Sequence, residues 1–296
     1  MSTLWPLPIT VSPQVIGRVS VESADPDAYV ELGRWWLQEC HERYGLPQLR
    51  RPPEGDFTKI IEYRAVDPLD LDDDDPDAGS LESIDQLVAA VAHCSKVRFF
   101  LRAWGRRSDS PFIGPLSIHN TSSLMGATVQ RLTLPDRYVT VLEVSAHKTV
   151  AGLSYGEASG FGGLVLRAAA VCDPTYGEVA MSPGVGLQTL VEKTLRRPGE
   201  LGLQESRRLL RGEGWLTVVP GELADRLGGL DRLMASSAFA YGTQLPSGAV
   251  ALTATETYED FDTAAERKVV AALRPVLPDI IDLALASIDS MRPPGT

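Results

Sequence analysis

An α+β fold, mainly an antiparallel sheet with packed helices, is what this sequence predicts, and three observations lead there. Strand-like runs outnumber helical ones. The connections between them are short, as antiparallel neighbours allow. Nowhere is an alternation of strand and helix sustained, which argues against a doubly wound parallel sheet. Each half of the chain lays helices against hairpin-linked strands, so two similar α/β modules sharing one sheet is a reading the pattern allows. The division would fall between an N-terminal module over residues 13–150 and a C-terminal one over 151–290.

The first elements follow from local signals. Residues 15–21 read as a strand. Asp25-Pro26-Asp27 then supplies a cap and an early proline for a helix expected to run through Tyr44 and stop at Gly45. Tyr29, Leu32, Trp36 and Cys40 share one face of that helix, so Trp36 is expected in the core. Further strands are expected over residues 59–65, 97–104, 116–119, 128–134 and 138–145, with a helix over 83–95. A Gly-rich passage, residues 151–163, reads as a flexible connector where the halves meet, followed by a helix over 164–171 and a short strand over 177–181. The stretch 196–211 is charged and expected at the surface.

The clearest signals lie near the C-terminus. Residues 215–219 form an apolar run closed by Pro220, and residues 222–227 form a brief helix ended by Gly228-Gly229. Runs over 239–245 and 249–255 flank Pro246-Ser247-Gly248, which is a hairpin pattern. Asp262 or Thr263 can cap a helix that turns Val269, Val270, Leu273, Val276 and Leu277 inward, and Pro278 opens a last helix.

Composition narrows the function classes. The net charge is −11, spread as −6 over residues 1–150 and −5 over the rest, so a phosphate backbone or an anionic membrane would be repelled and a basic protein partner attracted. Three cysteines, Cys40, Cys94 and Cys172, lack metal-type spacing and fit a reducing compartment. No leader pattern or membrane-length apolar run is present, and the expected location is the cytoplasm. Arg far outnumbers Lys, as in GC-rich bacterial genes.

Candidate chemistry is sparse. Asp70, Asp72, Asp73, Asp74, Asp75 and Asp77 crowd one loop without the alternating ligands, bend glycine and distal carboxylate of a calcium loop. Self-repelling charge of this kind stays hydrated, and its other use is as a contact surface for a basic partner. Gly152-Leu153-Ser154-Tyr155-Gly156 matches a hydrolase elbow literally. Yet His41, His93, His119 and His147 all precede Ser154, so the usual order of acid and then histidine after the serine is impossible. Gly160, Gly162 and Gly163 precede a helix without forming a phosphate-loop motif. Cys40-His41 and His93-Cys94 are adjacent pairs whose side chains diverge on a helix, which is unsuited to zinc. Glu143, Glu157 and Asp173 receive no catalytic role. Neither a metal nor a cofactor is expected, and an enzyme is not the first reading.

The segments GFGGLVLRAAAVCDPTYGEVAMS, GWLTVVP and TQLPSGAVALTATETYEDFDTAAERKVVAALRPVL together resemble the Imm52-type and DUF3396-type immunity proteins of bacterial polymorphic toxin systems. Cys172-Asp173-Pro174 stands where that family has Trp-Asp-Pro, and Gly214-Trp215-Leu216-Thr217 fits its strand opening. The resemblance implies an α+β protein that binds and neutralises a cognate toxin, a toxin–antitoxin partnership without catalysis. A structural or adaptor subunit of a bacterial assembly and an enzyme of unrecognised type are the alternatives.

Overall fold

The computed structural model describes residues 14–50, 57–66, 79–105, 122–147, 156–182, 187–279 and 281–282. Ten strands form one sheet in the order β3-β2-β4-β5-β6-β1-β7-β8-β10-β9. They are β1 Gln14–Ser23, β2 Phe57–Val66, β3 Ser80–Leu81, β4 Lys96–Gly105, β5 Ser122–Thr133, β6 Tyr138–His147, β7 Pro174–Ser182, β8 Leu216–Val219, β9 Tyr241–Gln244 and β10 Val250–Thr253. All of their pairings are antiparallel, so the α+β expectation holds. The first strand lies at the centre, with β6 on one side and β7 on the other, and so ties strands from both halves into one ladder.

Alternation along the strands sends side chains to two faces, and helices pack on each. On the first face, helices α1 Val30–Cys40, α3 Ile84–Ala90 and α4 Gly156–Ala170 pack over Val19, Val21, Leu142, Val144, Val179, Leu216 and Val218. Trp36 is fully buried there, as its helical spacing predicts, and its indole Nε1 donates to the Glu143 carbonyl at 3.1 Å. The second face carries α5 Leu190–Thr194, α6 Gly199–Gln204, α7 Gly221–Arg226, α8 Gly229–Ala235 and α9 Thr263–Leu273. Asp262 caps α9 by accepting from the Ala265 amide at 2.8 Å, and Val269, Val270, Leu273, Val276 and Leu277 are buried as the periodicity requires. Ser83 likewise caps α3, which ends at Ala90, several residues before the expected Ser95.

Three expectations need correction. The first helix begins at Val30 and does not stop at Gly45: it passes through a π-turn, His41–Gly45, into α2 Leu46–Arg50. A Cβ on Gly45 would lie 3.3 Å from the Phe99 ring, so the glycine is there for close packing rather than termination. The Gly-rich passage is helical from Gly156 onward instead of a connector. Tyr44 and Trp215 sit where side chains on Gly160 and Gly162 would stand, at 2.8 and 3.2 Å from the ideal Cβ positions, so these glycines let two aromatic rings approach the helix. Finally, the charged stretch 196–211 is not all surface, because Arg211 is 1% exposed. The strand expected over 116–119 and most of the acidic loop lie outside the described residues.

Candidate functional site

A row of polar residues crosses the middle of the second face. Register aligns Thr128, Glu143, Arg18, Glu178 and Thr217 on consecutive strands β5, β6, β1, β7 and β8. Arg18 is therefore flanked by a carboxylate on each side. Its Nη2 donates to Glu143 Oε2 at 2.7 Å and its Nη1 to Glu178 Oε1 at 3.1 Å, all three side chains being buried. Burial alone would lower the Arg18 pKa, but the charges of Glu143 and Glu178 reverse this and raise it.

A second cation closes over this row from the segment between α6 and β8. The Arg211 guanidinium donates from Nε to Glu192 Oε1 and from Nη2 to Glu192 Oε2, both at 3.0 Å, in a two-pronged arrangement. Nη1 reaches Ser20 Oγ at 3.1 Å, and the guanidinium carbon sits 5.6 Å from the Tyr176 ring centre. Both arginines also donate to the Leu187 carbonyl. Glu192 has a further duty at the start of α5: Thr189 accepts from the Glu192 amide at 3.1 Å and the Glu192 carboxylate accepts from the Thr189 amide at 2.8 Å. This is a capping box, and its Thr-x-x-Glu signature stands in the sequence at Thr189-Leu190-Val191-Glu192.

Carboxyl groups crowd the end of the row nearest α9. Glu213 is buried, and its Oε2 finds no hydrogen-bond partner among the described residues. Burial first, then the charges of Glu266 and Glu178, push its pKa up to about 8. Glu178 is raised as well, because burial outweighs the attraction of Arg18 and the hydrogen bond from Tyr176, whose hydroxyl donates at 2.9 Å. The Tyr176 hydroxyl is driven well above its usual range by burial and by Glu178.

A separate charged hub lies nearer the surface. Arg207 Nη2 meets Asp173 at 2.7 Å, its Nη1 meets Glu222 at 2.7 Å, and its Nε meets Glu22 at 3.3 Å. Glu22 also pairs with Arg137 at 3.0 Å. The Asp173 of the Cys-Asp-Pro motif thus ties the end of α4 to the α6–β8 segment. Beside it, burial and Asp173 push the Cys172 thiol up to about 12.

The residues singled out from sequence are dispersed. Glu143 joins the buried row and Asp173 the surface hub. Cys40 is buried, and His41 exchanges a 2.8 Å hydrogen bond with the Tyr63 hydroxyl while its ring meets Phe99 edge-on. Burial lowers the His41 pKa. His93 is exposed. Ser154 and Asp70, Asp72, Asp73, Asp74, Asp75 and Asp77 lie outside the described residues. Among the described residues no group of three His, Cys, Asp or Glu is placed to hold a metal ion. Sequence reasoning missed Arg18, Glu178, Glu192, Arg211 and Glu213. The signal available for Arg18 and Glu178 was a charge inside an otherwise apolar strand.

What the fold and this row define is an α+β protein whose charged interior clamps the 187–214 segment onto the sheet. No known protein family and no curated protein matches the sequence. In fold the chain is similar to the solved Pseudomonas aeruginosa T6SS protein PA0821, with a TM-score of 0.55 and 15% identity over 91% of this chain and 74% of that one. Among the described residues no helix is long and apolar enough to cross a membrane.

Proposed function

We propose that this protein works by contact, binding and neutralising a bacterial toxin in the manner of an immunity protein. The observation that carries the reading is the shared fold with a T6SS protein across 91% of the chain, which supports a secretion-related setting. Two features agree with it. The net charge of −11 suits a basic effector. The chemically capable side chains Arg18, Glu143, Glu178, Glu192 and Arg211 are engaged with one another inside the protein, where a macromolecular substrate has no access. The segments that resemble the Imm52 and DUF3396 types have structural work in the core: Trp215 packs edge-on against Tyr258 and donates to the Thr255 carbonyl at 3.1 Å.

The test is growth rescue. Toxin genes neighbouring this protein's own gene are expressed in a sensitive host with and without it, and the proposal expects survival only with it. If every neighbouring toxin kills regardless, the reading is wrong. A structural or adaptor subunit of a secretion assembly is the second reading, favoured by the same T6SS likeness; it predicts co-purification with assembly components and no rescue.

A further inference from the structure

The sheet ends at β9, and among the described residues nothing pairs with its outer edge. Edge strands expose a row of backbone donors and acceptors, and proteins usually blunt them with lysine, proline or a bulge. Tyr241-Gly242-Thr243-Gln244 carries no charge and no proline, and its pairing with β10 runs without a register shift. The opposite edge, β3, is only two residues long.

The two faces at this edge differ. A Cβ on Gly242 would fall 2.6 Å from Met234 Sδ and 2.7 Å from Leu230, so α8 covers that side. Alternation puts Tyr241 and Thr243 on the other side, where both are exposed, Tyr241 by 55%. Tyr241 stands opposite Thr253, the last residue of β10. The chain leaving β10 then folds over this same side, held by the contact of Tyr258 with Trp215 and by the hydrogen bond from Trp215 to the Thr255 carbonyl. That loop carries Glu256, Glu259 and Asp260, all exposed, and no basic residue between Thr255 and Asp262. Pairing edge, exposed aromatic ring and a one-signed acidic loop thus share one face at this end of the sheet.

We infer that the outer edge of β9 receives an extended, Lys- or Arg-bearing segment of a protein partner by strand addition. The backbone of β9 supplies the pairing, Tyr241 supplies a stacking surface for a cationic side chain, and Glu256 and Glu259 select basic residues. This holds whether or not the partner is a toxin, so failure of the growth-rescue test leaves it standing, and its own failure leaves that test unaffected.

The experiment uses the full chain and two synthetic peptides, one alternating Lys with Val and one alternating Glu with Val. Amide hydrogen exchange at residues 241–244 and peptide affinity are both read. The Lys peptide should slow exchange at these amides at least several-fold and bind at least tenfold more tightly than the Glu peptide. Binding should weaken at least tenfold in Glu256→Lys/Glu259→Lys, and separately in Tyr241→Lys/Thr243→Lys, whose exposed positions leave the core untouched. Equal affinity for both peptides, protection confined to other strands, or unchanged binding in both double variants would overturn the inference. So would slow exchange at 241–244 without peptide together with a dimeric mass, since a second copy would then occupy the edge.

Discussion

Arg211 grips both carboxylate oxygens of Glu192 at 3.0 Å each, with the two side chains 0% and 1% exposed. The same carboxylate completes the capping box of α5, so one buried ion pair fixes both the start of that helix and the chain entering β8. Close packing reinforces it, since a Cβ on Gly202 would fall 1.6 Å from Glu192 Oε1.

Removing one partner of such a pair strands a charge in a dry interior. Arg211→Met should therefore lower unfolding free energy by about 3–5 kcal/mol, measured by urea denaturation. The double variant Arg211→Met/Glu192→Met should lose less than the two single losses added together. A strictly additive double variant would contradict the coupling.

Raising the pH from the acid side to about 8 should weaken the fold. The Glu213 pKa is raised to about 8 in the folded protein, so between the ordinary carboxylate range and pH 8 the unfolded chain releases a proton that the folded one keeps. Stability therefore falls as pH rises through this window, by at most about 1.4 kcal/mol per unit from this group, and levels off above it. Glu178, also raised, adds to the same trend. Glu213→Gln should flatten the slope of melting temperature against pH without abolishing it, and an unchanged slope would remove Glu213 from the account.

Two glycines should respond in opposite directions to the same substitution. On Gly214 a Cβ would come 2.5 Å from the Val179 carbonyl oxygen, so Gly214→Ala should destabilise by a few kcal/mol, on the order of overpacking costs. Around Gly163, on the exposed side of α4, a Cβ meets nothing within 4 Å. Gly163→Ala should stabilise by about 0.5–1 kcal/mol, and thermal melts compare the two directly.

Much of the fold was legible because periodicity and turn chemistry are local. The Pro246-Ser247-Gly248 hairpin and the Asp262 cap are written in adjacent residues and appear as read, with Gly248 at φ 91°. The glycines of α4 misled because glycine marks both loops and close approaches; what decides is Tyr44 and Trp215, far away in sequence. Arg18 and Arg211 were not recognisable as a site, since an arginine reads as surface until its carboxylate partners are placed. Glu143 lies 125 residues from Arg18, and only the register brings them level. Thr189-x-x-Glu192 carries a local helix-start signature, whereas the pairing of Glu192 with Arg211 is set only by the fold.

Charge inside the protein clamps the fold, and in the proposed function the acidic exterior meets the partner. Calorimetric titration of the purified chain with any toxin encoded near its gene tests the proposed function most directly. Submicromolar 1:1 binding that weakens steeply with salt, and persists in Glu213→Gln, is the predicted result. Absence of binding to any neighbouring toxin at low salt would contradict it.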